Sequence, residues 1–206
     1  MKSFQHTIGS EEELLTMIGT PSPLAKNKVI PFIDAHCRSF LAKAPFLVLS
    51  TSNKEGLCDA SPRGDHPGFV HVLDNHHLLI PERPGNRRVD SLRNILSNPY
   101  VGLLFVIPGL EETLRINGKA QIIADQELLE PLQVQKRVPQ LGIAVEVMEC
   151  FVHCAKAFKR SGLWQPTSWL PKENLPKPAV MLAEHAKFSP EDVADLLHDS
   201  YTKRLY

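Results

Sequence analysis

The chain has 206 residues, 43% of them apolar and 22% charged, the make-up of a globular domain with a real core. Lysine plus arginine and aspartate plus glutamate stand at 23 each, so no overall field favours nucleic acid or an anionic membrane, and any anion site has to be local. The start, MKSFQHTIGSEEELL, lacks the apolar stretch and cleavage site of a secretory signal, and no apolar run approaches the roughly 18 residues that cross a bilayer.

Four cysteines in so long a chain do not make a disulfide scaffold, so the expectation is a cytoplasmic protein with reduced thiols. Ser10 followed by Glu13 has capping-box spacing and predicts a helix over 11–18, ended by Pro21 and Pro23. Phe32, Ile33, His36, Phe40 and Leu41 recur near the helical period and place a second helix over 31–42. The period then changes. FLVLSTS (46–52) is an apolar run ending in small polar residues, a turn follows at 53–56, and LCDASPRGD (57–65) resumes an extended course in which Pro62 marks an edge or a bulge. GFVHVLD and HLLIP flank Asp74-Asn75 as the arms of a hairpin. YVGLLFVIP (100–108) is continuously apolar, like a strand covered on both faces. TLRINGKAQII (113–123) alternates: Leu114, Ile116, Ala120 and Ile122 share one face, while Thr113, Arg115, Asn117, Lys119 and Gln121 share the other. QELLEPL (126–132) reads as a brief helix interrupted by Pro131, and LGIAVEVMECFVHC (141–154) as a long strand. Residues 162–180, rich in proline and tryptophan, are expected as an irregular arm, and Ser189 caps a last helix that runs to about Leu197, with Pro190 at its first position.

Strands in this number, with short helices and no βαβ rhythm, predict a mainly β fold: an antiparallel β-barrel of Greek-key type, closed or nearly so. The expected organisation is a single domain, with N-terminal helices (1–43), barrel (44–160) and C-terminal arm and helix (161–206).

Several chemistries are set aside. CFVHC (150–154) offers two cysteines and a histidine, but on a strand residues four apart are separated by roughly 13 Å, whereas zinc thiolates lie ~2.3 Å from the metal. Core thiols are the better reading of that stretch. The nine histidines are scattered, and no hydrolase elbow, P-loop or Rossmann glycine pattern occurs.

The stretch IPERPGNRRVDSLRNILSNP (80–99) holds more. Val89, Leu92 and Leu96, with Ile95 beside them, make one apolar helical face. Gly85 and Asn86 take unusual backbone angles readily, and free N–H groups at the helix start favour an anion. Arg87 and Arg88 can add bidentate contacts to phosphate oxygens, each charge-assisted bond contributing roughly 1.5–3 kcal/mol. An adjacent arginine pair is commonly a solvated corner. The series of strand, Pro-Gly turn, Asn-Arg-Arg and helix puts a phosphate site level with that plain reading. Arg63 in SPRGD and the polar face of 113–121 are further candidates, against a barrel strand with one wet face. Trp164, beside the cations of KRSGLW, suits an aromatic ligand or simple packing.

The run from PFLVLSTS (45–52) through SPRGD and PGNRR to DSLRNIL.NP.VGLLF.IPG and LR.NG.A resembles the pyridoxamine 5'-phosphate oxidase-like family of FMN-binding split barrels, over roughly residues 30–165. Within it, the chain is most similar to a subgroup of FMN-dependent enzymes without an assigned substrate. The resemblance implies a homodimer with FMN at the subunit interface and redox chemistry on a small-molecule substrate, with NAD(P)H a candidate donor. The family's phosphate-holding basic residues fall on Arg87 and Arg88, preceded by Asn86. The strand end along the isoalloxazine falls on Ile80 and Pro81, and Arg63 on the strand bordering the flavin. Thr113 matches a polar flavin contact, and Trp164 a residue reaching the cofactor from the partner chain. Pyridoxamine phosphate oxidases carry an R-x-V-L-L-K strand and a C-terminal R-L-H-D-R motif. This chain has GFVHVL and YTKRLY, so that substrate is not carried over. A non-enzymatic flavin-binding or storage protein, and a haem or small-ligand module using His66 or His71, stand as alternatives. No residue stands out as a catalytic acid or base.

Overall fold

The computed structural model describes residues 4–206. Ser10 Oγ accepts the Glu13 N–H at 3.1 Å and the Glu13 carboxylate accepts the Gly9 N–H at 3.1 Å, so α1 (Glu11–Ile18) starts where the spacing predicts. Pro23 does not merely end it. With Ser22 as cap, Pro23 opens a further short helix, α2 (Pro23–Asn27). The next helix, α3 (Ala35–Leu41), is shorter than its apolar periodicity, because Asp34 Oδ1 accepts the Cys37 N–H at 2.7 Å and fixes the start there.

Seven strands follow: β1 (Phe46–Ser52), β2 (Cys58–Gly64), β3 (His71–Val72), β4 (His77–Pro81), β5 (Tyr100–Val106), β6 (Thr113–Ile123) and β7 (Gly142–His153). They form one antiparallel sheet in the order β2-β1-β5-β6-β7-β4-β3. Asp74 makes the β3–β4 turn by accepting the N–H groups of His76 at 2.6 Å and His77 at 2.8 Å. Between β6 and β7 the register slips at Asn117/Gly118, and a side chain at Gly118 would run into the Glu146 carbonyl. Only glycine fits that bulge.

Alternate residues of β1, β4, β5, β6 and β7 meet in one cluster, to which β2 lends none. Leu47, Leu49, Ile80, Leu103, Phe105, Leu114, Ile116, Ile143 and Val145 pack there with Leu41 of α3 and Ile33 just before it. Because β1 near one end of the strand order and β4 near the other share one core, the sheet curls round it. Its terminal strands, β2 and β3, do not pair with each other. The fold is therefore a mainly β split barrel. Helix α4 (Asp90–Ser97), between β4 and β5, adds Leu92 and Ile95 to the core.

The irregular arm expected over 162–180 is present, but it ends sooner and leads into a helix the sequence reading did not place. After α5 (Gln126–Leu129), a tight turn at Pro131, β7 and α6 (Lys156–Ser161), the chain is irregular only as far as Lys177. There α7 (Pro178–Ala186) begins and packs on α8 (Pro190–Lys203), burying Ala183 and Val193. Proline at its first position hid α7, since Pro178 reads from sequence as one more breaker in a proline-rich stretch. Among the described residues no helix is long and apolar enough to cross a membrane.

Candidate functional site at the barrel seam

The barrel is split along two free strand edges. β3 pairs only with Leu78 and Leu79, so from Ile80 onward the outer edge of β4 has no ladder partner. β2 bonds to β1 alone. Each rim carries a proline, Pro62 on β2 and Pro81 on β4, where a missing N–H costs nothing.

Charged pairs bridge one end of this seam. Arg63 Nη1 donates to Glu82 Oε2 at 2.6 Å, with side chains 16% and 23% exposed, and Arg83 Nε donates to Asp65 Oδ2 at 2.6 Å. The Asp65 side chain is 1% exposed. It also accepts the His66 N–H and the Tyr206 hydroxyl, each at 2.8 Å. Burial pushes the Asp65 carboxyl up, but the bonds from Tyr206, His66 and Arg83 outweigh burial and hold it below the usual carboxylate range.

Helix α4 forms the other end. Ser91 Oγ donates to Asp59 Oδ2 at 2.6 Å, Asn94 Nδ2 to Thr51 Oγ1 at 3.0 Å, and Asn98 Nδ2 to Ser52 Oγ at 3.0 Å. These tethers to β1 and β2 set the rotation of the helix. Ser91, Leu92 and Ile95 face inward, while Val89 and Leu96 are 40% and 78% exposed. The apolar stripe expected from Val89, Leu92, Ile95 and Leu96 is thus only half used, because the helix begins one residue after Val89 and its polar anchors choose the face. An open depression of about 470 Å³ adjoins these tethers, bounded in part by Thr51, Ser52, Asp59 and Tyr100.

Residues 82–89 connect the two ends. Asn86 Oδ1 accepts the Arg88 N–H at 3.0 Å. Arg87 (φ 60°) and Val89 (φ 54°) are left-handed, an arrangement that opposes the preference of side-chain-bearing residues and is strained for β-branched valine. No side chain caps the first turn of α4. Arg88 Nε donates to Asp90 Oδ2 at 2.8 Å. Arg87 is exposed, and no ion pair engages it among the described residues.

Arg63 lies at the ion-paired end of the seam, and Asn86, Arg87 and Arg88 lie in the connection between β4 and α4. Ile80 and Pro81 belong to the seam's rim through their backbone only, since both side chains are buried. Thr113, 3% exposed, opens β6, three strands from β2 and about 14 Å along the sheet. Trp164 donates Nε1–H to the Leu110 carbonyl at 2.9 Å and packs on Phe158 at 5.8 Å between ring centres, which fastens the arm to the β5–β6 connection of its own chain. Sequence reasoning missed Asp59, Asp65, Glu82, Arg83, Ser91 and Tyr206. For the ion pairs a signal existed: SPRGD runs base then acid, PERP runs acid then base, and the two segments face each other. Nothing in the sequence announced Tyr206.

The family model described as pyridoxamine 5'-phosphate oxidase matches residues 33–159, more than half of the chain. The chain belongs to the pyridoxamine 5'-phosphate oxidase family. No curated protein matches it. Among solved structures it is similar to HupZ of Group A Streptococcus, at 18% identity over 58% of this chain and 93% of that one, with a TM-score of 0.47. General Stress Protein 26 of Bacillus anthracis is similar at 15% identity over 57% and 93% of the two chains, with a TM-score of 0.43. An FMN-binding protein of Syntrophomonas wolfei is similar at 9% identity over 57% and 88%, with a TM-score of 0.42.

Proposed function

We propose that the seam binds FMN, its phosphate on the Asn86–Arg88 turn and the first turn of α4, and that the chain is an FMN-dependent oxidoreductase working as a homodimer on a small-molecule substrate. One observation carries the reading: two left-handed side-chain-bearing residues, Arg87 and Val89, lead into a helix whose first turn has no side-chain cap. Strain of that kind gathers at ligand clamps, and uncapped N–H groups at a helix start favour an anion.

The residues present fit a phosphorylated flavin. Arg63 Nε is a buried donor with no protein partner, and Arg87 is a cation with no ion pair among the described residues. Arg87 would hold acceptor oxygens of the ligand beside the uncapped amides of α4, and Arg63 would hold others at the opposite end of the seam. Arg88 contributes only by leaving Asp90. On the free edge at Ile80–Glu82 the Pro81 carbonyl offers an acceptor, since the Glu82 N–H is spent on Leu141. The two ion pairs bridge the seam's far end. Bound flavin would supply the electron transfer, and the chain fixes its phosphate and tunes the ring through nearby positive charge. NAD(P)H is the proposed donor.

The homodimer is proposed with the flavin shared between chains; within its own chain Thr113 is buried at the start of β6, two strands from β4, and Trp164 is fastened to the β5–β6 connection. Phe46 and Tyr100 stand exposed on the outward sheet face for a second copy to cover. One observation favours a second reading, a flavin carrier without turnover: Asp65 and Glu82 are tied into ion pairs and Asp59 into a bond from Ser91, which leaves no free acid or base between them.

Absorbance decides first. Purified protein, or protein given FMN, is expected to show flavin bands, and a colourless protein that takes up no FMN overturns the proposal. Stopped-flow mixing of the loaded protein with NADH or NADPH then separates enzyme from carrier. Reduction followed by reoxidation with an acceptor supports the enzyme; bound flavin inert to both donors supports the carrier.

A further inference from the structure

Beyond α8 the chain returns to the seam. Tyr206 is held there at three points. Its hydroxyl donates to Asp65 Oδ1 at 2.8 Å, its ring lies 5.9 Å from the Arg83 guanidinium carbon, and its backbone oxygen accepts from Arg137 Nη1. Arg137 is presented by a tight turn in which Gln135 (φ 50°) and Lys136 (φ 64°) are both left-handed and Val134 and Arg137 exchange backbone bonds of 3.1 and 2.9 Å. The seam side is equally built. Asp65, almost wholly buried, takes the phenol on the same oxygen as the His66 N–H and Arg83 on the other.

The turn that carries Asn86, Arg87 and Arg88 hangs between two anchors. At its tail, Ser91 is bonded to Asp59 through α4. At its head stand Glu82 and Arg83, the second of which depends on Asp65. A buried carboxylate that loses one donor is less well satisfied and holds its remaining partners less firmly in place.

We propose that Tyr206 is a positioning residue for the phosphate-binding turn: its phenol fixes Asp65, Asp65 fixes Arg83, and Arg83 fixes the head of residues 83–89. This rests on the reading of that turn as the FMN phosphate site. Tyr206 touches no part of the turn that would grip the phosphate, so its effect is on geometry. The chain of contacts also ties the helical hairpin α7–α8 to the cofactor site.

The test uses the full chain and Tyr206→Phe, which removes one oxygen and keeps the ring. Hydrogen exchange on the ligand-free proteins reads the turn directly. Its amides at 82–89 are expected to exchange about fivefold faster in the variant, the factor that one lost hydrogen bond of ordinary strength gives, with β6 and β7 unchanged. FMN release, followed by stopped-flow dilution, is expected to quicken by about the same factor, and riboflavin release by less than about twofold, because riboflavin lacks the phosphate that the turn holds. Asp65→Asn should act in the same direction, and Tyr206→Phe should add nothing to it. Faster exchange confined to 200–206 overturns the proposal, as does equal quickening of FMN and riboflavin release. Faster exchange at 82–89 with no FMN bound by either protein leaves the hold on the turn standing and sinks the cofactor reading instead.

Discussion

In the turn before α4, the Arg88 guanidinium is committed to Asp90 at 2.8 Å, while Arg87 has no such partner among the described residues. Two residues that read as equals in the sequence therefore differ in what a phosphate gains from them. A ligand must break one ion pair to use Arg88 and none to use Arg87. Arg87→Ala is expected to weaken FMN binding by about tenfold or more, following the roughly 1.5–3 kcal/mol of a charge-assisted bond, with Arg88→Ala costing less. Riboflavin affinity should hardly change in either variant. Fluorescence titration with both flavins is the measurement, and equal losses for FMN and riboflavin would show that neither arginine meets the phosphate. The motif PGNRR located this turn from sequence. It did not rank the arginines, because Asp90 lies two residues beyond Arg88, a spacing that brings no groups together on a helix and does so here only because Val89 turns left-handed.

At the scale of elements, the seam is closed by side chains where a ladder would otherwise run, which makes its strength depend on protonation. The folded-state pKa of Asp65 lies below the unfolded value of about 3.9. Its contribution to stability is therefore complete above that value and is lost as the pH falls through the folded value. Urea unfolding at pH 7 and at pH 3 tests this. Asp65→Asn should be less stable than the parent at pH 7, and the gap should narrow at pH 3; a gap of constant size would detach Asp65 from the acid response. The alternation of 113–123 made β6 legible to its full extent, although Thr113, expected on the polar face, is buried. The stretch 100–108, expected to be covered on both faces, buries only alternate residues as β5. β3 was over-read. GFVHVLD looks like a full hairpin arm, yet only His71 and Val72 pair, since Gly68 bonds back to the Ala44 carbonyl and holds Phe69 and Val70 in the core outside the ladder. Such an override comes from a contact between residues far apart in sequence, and no local pattern records it.

For the whole molecule, the expected assembly is a pair of barrels. Light scattering of the flavin-loaded protein should return twice the chain mass of 23.1 kDa. A monomer that still retains flavin would refute the shared site and return Thr113 and Trp164 to purely structural roles. The curl of the sheet round one core followed from the order of apolar strands. The cross-links that decide which way the split faces, Arg63 to Glu82, Arg83 to Asp65 and Ser91 to Asp59, join segments far apart in the chain, and only folding brings them together. The opening left in the barrel has one more property. An unpaired rim invites a stray strand from another molecule to zip alongside it and seed a fibre. Pro62 and Pro81 each interrupt the row of donors such an intruder would need, so the gap stays open to a small ligand while refusing a polypeptide.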